Sequence, residues 1–147
     1  MDSKELKKTF GIIAKSHGFS CAFGGCYKQS SESIVTLSFQ KSNFGNYAYL
    51  NIKIYIQNVF NMEYVPNKDL MKKDVGHIFL RPPSRYDIAF DFDEKVSDEK
   101  RLQILTELFD NFLIPFTNKA LSISGIKELA DKREIDLLPA IQEELNI

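Results

Sequence analysis

Ala48-Tyr49-Leu50-Asn51-Ile52-Lys53-Ile54-Tyr55-Ile56-Gln57 alternates without a break. The even positions are apolar, and the odd positions carry Tyr49, Asn51, Lys53, Tyr55 and Gln57. A period of two sustained over this length is a strand with one buried and one wet face. The wet face sets aromatic rings beside hydrogen-bonding groups, a composition suited to binding.

The neighbouring segments extend the same pattern. Glu32 to Lys41 alternates Val35, Leu37 and Phe39 against Thr36, Ser38 and Gln40, and Ser42 to Asn46 is a short connection. Ser20 to Lys28 reads as one strand bent at Gly24-Gly25. Val75 to Arg81 and Arg85 to Phe92 read as two further strands joined through Pro82-Pro83-Ser84. Strands linked by short loops form an antiparallel meander. Asn58 to Asp74 is irregular and charged, and reads as a loop with at most one helical turn.

Helices flank the strands. Residues 3 to 17 place Leu6, Phe10 and Ile13 on one face, with Ser3 as a cap and Gly18 as a left-handed stop. Ser97 caps a long helix whose stripe runs from Leu102 through Leu105, Leu108, Phe109 and Phe112, and Pro115 should kink or end it. Shorter helices follow from Ser124 and Asp136. The expected architecture is a single α+β domain over residues 1–147. An antiparallel sheet of about five strands has its N-terminal and C-terminal helices packed on one face, and its other face open.

Composition narrows the function. A net charge of −1 argues against a general nucleic-acid binder. The first residues lack a secretory h-region and no apolar run is long enough to span a membrane, so a cytoplasmic location is expected. Cys21 and Cys26 match neither a redox Cys-x-x-Cys nor a zinc knuckle, and in the cytosol are expected to be reduced.

Strand parity assigns candidate binding residues to the open face. Gln40, Asn51, His77 and Arg81 supply donors and acceptors, while Tyr49, Tyr55 and Phe79 supply flat apolar contact. The same face would carry Thr36, Ser38, Lys53, Asp87 and Asp91. An ordinary solvated face, rich in strand-forming residues, explains the same composition. His77 and Arg81 together suit an anion, although their Cα atoms stand roughly 13 Å apart along a strand. His17 fits the end of the first helix as a cap. No nucleophile sits in a recognisable motif, so no catalytic residue and no cofactor is assigned. Asp91 and Asp93 are spaced to share a divalent cation or to solvate a strand end, and no metal site is assigned.

Gln40-Lys41-Ser42-x-x-Gly45-x-x-x-Tyr49-x-Asn51 resembles the central signature of a bacterial family called domain of unknown function 4304. Tyr27-Lys28 and His77-Ile78-Phe79-Leu80-Arg81 resemble its flanking segments, and the likeness runs from about Leu6 to Leu113. The resemblance implies a small bacterial α+β domain and brings no activity, cofactor or catalytic set. Three functions fit the residues. The first is a non-catalytic protein-binding module, analogous to immunity proteins. The second is an enzyme or binder of an anionic small molecule using His77 and Arg81. The third is a weak nucleic-acid binder using Lys41, Lys53 and Arg81 with Tyr49 and Tyr55.

Overall fold

The structure, a computed structural model, describes residues 1–147. Five strands form one antiparallel sheet in sequence order: β1 (Ser20–Ala22), β2 (Gly25–Gln29), β3 (Ser33–Lys41), β4 (Ala48–Ile56) and β5 (Ile78–Leu80). The helices are α1 (Ser3–Ser16), α2 (Lys68–Lys72), α3 (Asp98–Leu108), α4 (Ile114–Ala120), α5 (Ile123–Asp131) and α6 (Pro139–Glu144). The α+β meander expected from the sequence is the fold observed.

β3 and β4 pair over nine positions, from Ser33 opposite Ile56 to Lys41 opposite Ala48. This register places Val35, Leu37, Leu50, Ile52 and Ile54 on one face. There they meet Leu6 and Phe10 of α1 and Leu105 and Leu108 of α3 in a single core. Burying these side chains is the main force holding helices to sheet. Asp2, one residue earlier than expected, caps α1 by accepting from the Glu5 N–H at 2.8 Å. Gly18 takes φ +88°, the left-handed stop, and the Phe19 N–H returns to the Ala14 carbonyl.

Four segments depart from the sequence reading. Ser20 to Lys28 is a hairpin rather than one bent strand. Phe23 and Gly24 both take positive φ (59° and 86°), the signature of a two-residue primed turn. That turn sets Cys21 directly opposite Cys26, and the two are joined in a disulfide instead of lying reduced.

Arg85 to Phe92 is not a strand. Ser84–Phe90 winds as a 3₁₀ helix, turning Tyr86 and Ala89 inward at a spacing of three. Pro82-Pro83 has no N–H groups to give a ladder. Arg101, 3% exposed, collects the segment's carbonyls instead: Ile88 and Ala89 with one nitrogen, Asp91 and Glu94 with the other. Only Asp91 keeps β character, in an isolated bridge to Tyr47. The count of five strands holds because the extra hairpin strand replaces the lost one.

Pro115 widens the long helix without ending it. Phe109–Leu113 forms a π-turn in which the Ile114 N–H reaches back to the Phe109 carbonyl, and α4 continues to Ala120. At the C-terminal end Ser122, not Ser124, caps α5, and α6 begins at Pro139 itself.

Candidate functional site

The sheet face opposite the helices is not open. The chain leaving β4 turns through left-handed Asn58, Phe60 and Asn61 and crosses back over the sheet, carrying α2. The Gln57 side chain closes this turn, donating to the Tyr64 carbonyl at 2.8 Å and accepting from the Tyr64 N–H at 2.7 Å. Leu70 and Met71 then cap the middle of the face, and Ile34, Tyr55 and Leu70 form a second small core. Thr36, Ser38, Asn51, Lys53 and Tyr55, all expected in solvent, are buried.

The buried polar groups bind the end of α2. Lys53 Nζ donates to the Met71 carbonyl at 3.0 Å and the Leu70 carbonyl at 3.4 Å. Tyr55 Oη donates to Leu70 at 2.7 Å and Ser38 Oγ to Met71 at 3.2 Å. A cation at the carbonyl end of a helix opposes its dipole favourably. Burial nevertheless pulls the Lys53 ammonium below its usual range and pushes the Tyr55 phenol up. These side chains hold a structural layer and are withdrawn from the candidate binding set.

His77 is withdrawn as well. Its Nδ1 accepts the Ile56 N–H at 2.8 Å, so the ring proton sits on Nε2, 3.2 Å from the Tyr64 hydroxyl. Both nitrogens are thereby committed, and the expected His77–Arg81 pair does not form. Burial lowers the affinity of His77 for a second proton.

The remaining candidates do converge. Asn51, at the rim of the covering layer, donates to Gln40 Oε1 at 2.9 Å and accepts from Arg81 Nε at 3.0 Å. Arg81 lies over the Tyr49 ring at 4.0 Å, with the Phe79 ring at 5.7 Å. Strand parity holds through β5: Phe79 pairs with Lys53, so Phe79 and Arg81 share the face of Tyr49 and Asn51. The result is an exposed guanidinium whose plane is set by an amide and a ring.

From this cluster a cleft of about 490 Å³ opens toward the helices. Arg81, Arg85 and Lys119 line it with one opposing carboxylate, Glu134, and with Phe112 and Phe116. The two rings stack with centroids 5.3 Å apart. Asn111 and Pro115 also line the cleft, so the π-turn shapes one wall. Lys119 pairs with Glu128 at 3.1 Å, whereas none of the chain's ion pairs uses an arginine. Arg85 instead donates to the Tyr86 hydroxyl at 3.0 Å.

The other candidate groups have local duties. His17 ends α1 and stacks on Phe109. Asp87 falls on the 3₁₀ helix rather than a strand. Asp91 accepts the Asp93 N–H at 3.0 Å and Asp93 accepts the Asn46 N–H at 3.1 Å, so both carboxylates tie down a loop. No group of three or more His, Cys, Asp or Glu residues is placed to hold a metal ion. No helix is long and apolar enough to cross a membrane.

Arg85 and Lys119 were missed as site residues because nothing in their local sequence joins them to Arg81. Only the turn after β5 and the run of α3 into α4 bring them together. No protein-family model, no curated protein and no solved structure matches the chain.

Proposed function

We propose that this chain is a non-catalytic binding module of the bacterial cytoplasm that recognises an anionic small molecule at the Arg81–Arg85–Lys119 cleft. The observation that carries the reading is a pair of arginines free of carboxylate partners on one cleft, one of them already oriented by Asn51 and Tyr49. Arginine forks match carboxylate and phosphate oxygens. The cleft volume lies in the range of small-molecule sites, and Phe112 offers an apolar surface to the body of a ligand. Both histidines stand outside the cleft lining, which favours binding over acid–base chemistry. Gln40 and Asn51, the two ends of the Gln40–Asn51 signature, form the amide pair that orients Arg81.

Calorimetric titration with benzoate, phenyl phosphate and inorganic phosphate tests the reading. Binding of at least one, weakening with salt and falling at least about tenfold in an Arg81→Gln/Arg85→Gln variant, is the expected result. Failure of all three to bind, or unchanged binding by the variant, rejects it. A second reading, a protein partner with an acidic side chain, is favoured by the Tyr49–Arg81–Phe79 stack, in which Arg81 and Phe79 are exposed and which joins the residue types that anchor interfaces. In that case an acidic peptide competes for Arg81 while the small anions do not.

A further inference from the structure

A second cleft, of about 220 Å³, lies between α1 and the β1–β2 hairpin, and both sulfurs of the Cys21–Cys26 disulfide belong to its lining residues. Lys7 of α1 and Lys72 of α2 line the same opening, and neither is in an ion pair. The Lys72 stem lies against Gly24 at the hairpin tip. Burial, and then the charge of Lys7, lower the hold of Lys72 on its proton, as expected for two ammonium groups sharing a small opening that no carboxylate lines. Cys21 is half-buried, while Cys26 is 5% exposed. The bridge joins positions that the hairpin register already sets opposite each other, with a sequence separation of five. Its loss therefore leaves backbone pairing and turn intact, and its return requires no rearrangement.

We propose that Cys21–Cys26 is a reversible thiol–disulfide exchange site selective for low-molecular-weight thiols that carry a carboxylate. The incoming thiolate attacks Cys21 Sγ, on the less buried of the two cysteines, forming a mixed disulfide. The Cys21–Cys26 bond breaks, and its electron pair leaves on Cys26 Sγ, which takes a proton from water. A second thiolate attacks the sulfur of the small molecule, releasing the oxidised small disulfide and a Cys21 thiolate that is protonated in turn. Two thiols are oxidised as one protein disulfide is reduced. Lys7 and Lys72 attract the carboxylate and raise its local concentration beside Cys21.

The test measures reduction of the native protein by 3-mercaptopropionate and by 2-mercaptoethanol at equal thiolate concentration and low salt. Alkylation followed by mass spectrometry reads the extent. Reduction without unfolding, and a rate ratio favouring 3-mercaptopropionate that falls about fivefold in Lys7→Gln/Lys72→Gln, are expected. With the symmetrical disulfide of 3-mercaptopropionate as reagent, Cys21 of a Cys26→Ser variant should form the mixed disulfide, releasing one 3-mercaptopropionate, faster than Cys26 of a Cys21→Ser variant. Reduction only at denaturant concentrations that unfold the chain overturns the proposal. So does a rate ratio unchanged in the lysine variant, measured on the intact Cys21–Cys26 pair and therefore independent of how the serine variants fold.

Discussion

His77 shows how one residue can look like a ligand and serve as a clasp. Its Nδ1 must be unprotonated to accept the Ile56 N–H, and burial lowers its pKa from the ordinary 6.5. Below pH 6.5 the unfolded chain therefore binds a proton that the folded chain refuses. Stability should fall as pH drops from 6.5 toward the lowered folded value, and rise with pH across the same window. Urea unfolding at several pH values measures this, and His77→Gln should flatten that part of the profile. An unchanged slope in the variant would remove His77 as the source. Lys53 was misjudged in the same way. Its alternating position was legible, but its destination beneath Leu70 and Met71 was not. Those are two apolar residues in a charged run, too few to show a helical period.

At the scale of elements, two glycines in helices have opposite meanings. Gly125, in the first turn of α5, lies against the end of α4, and a Cβ there would overlap the Lys119 carbonyl oxygen. Gly125→Ala should lower stability by about 1–3 kcal/mol through forced separation of the two helices. Gly11 sits inside α1 with no atom within 4 Å of an added Cβ. Gly11→Ala should raise stability by about 0.5–1 kcal/mol. Denaturant midpoints with unchanged m-values check both. The long strands and α1 could be read because their periods run over many residues. The Arg85–Phe92 misreading has a local cause: Tyr86, Ile88 and Phe90 imitate alternation, while the decisive contact comes from Arg101 on another helix. The hairpin at Gly24 was half legible, since the glycines marked a break and the left-handed Phe23 did not announce itself.

For the whole molecule, the covering segment turns a two-layer design into a sheet enclosed at its centre on both faces. Hydrogen exchange should be slowest in the middle of β3 and β4, and fastest among the strands in β1 and β5. Protection should extend to the amides of Met71 and Lys73, which bond to the Asn67 and Asp69 carbonyls. Free exchange at those amides would contradict the covering layer. Strand parity alone places Gln40, Tyr49, Asn51, Phe79 and Arg81 on one face, and there they lie in contact with one another. The cleft's far wall depends on how α3 and α4 dock, and pairwise docking leaves no mark on a single line of residues.

The sheet is complete at Leu80, whereas the helices that cover most of its oily side begin at Asp98. During synthesis from the N-terminus, the ribbon therefore leaves the ribosome with only α1 to shield Val35, Leu37, Ile52 and Ile54. A nascent chain in that state is sticky, and a slow stretch of translation before Ala120 would lengthen its exposure to chaperones and to other unfinished chains.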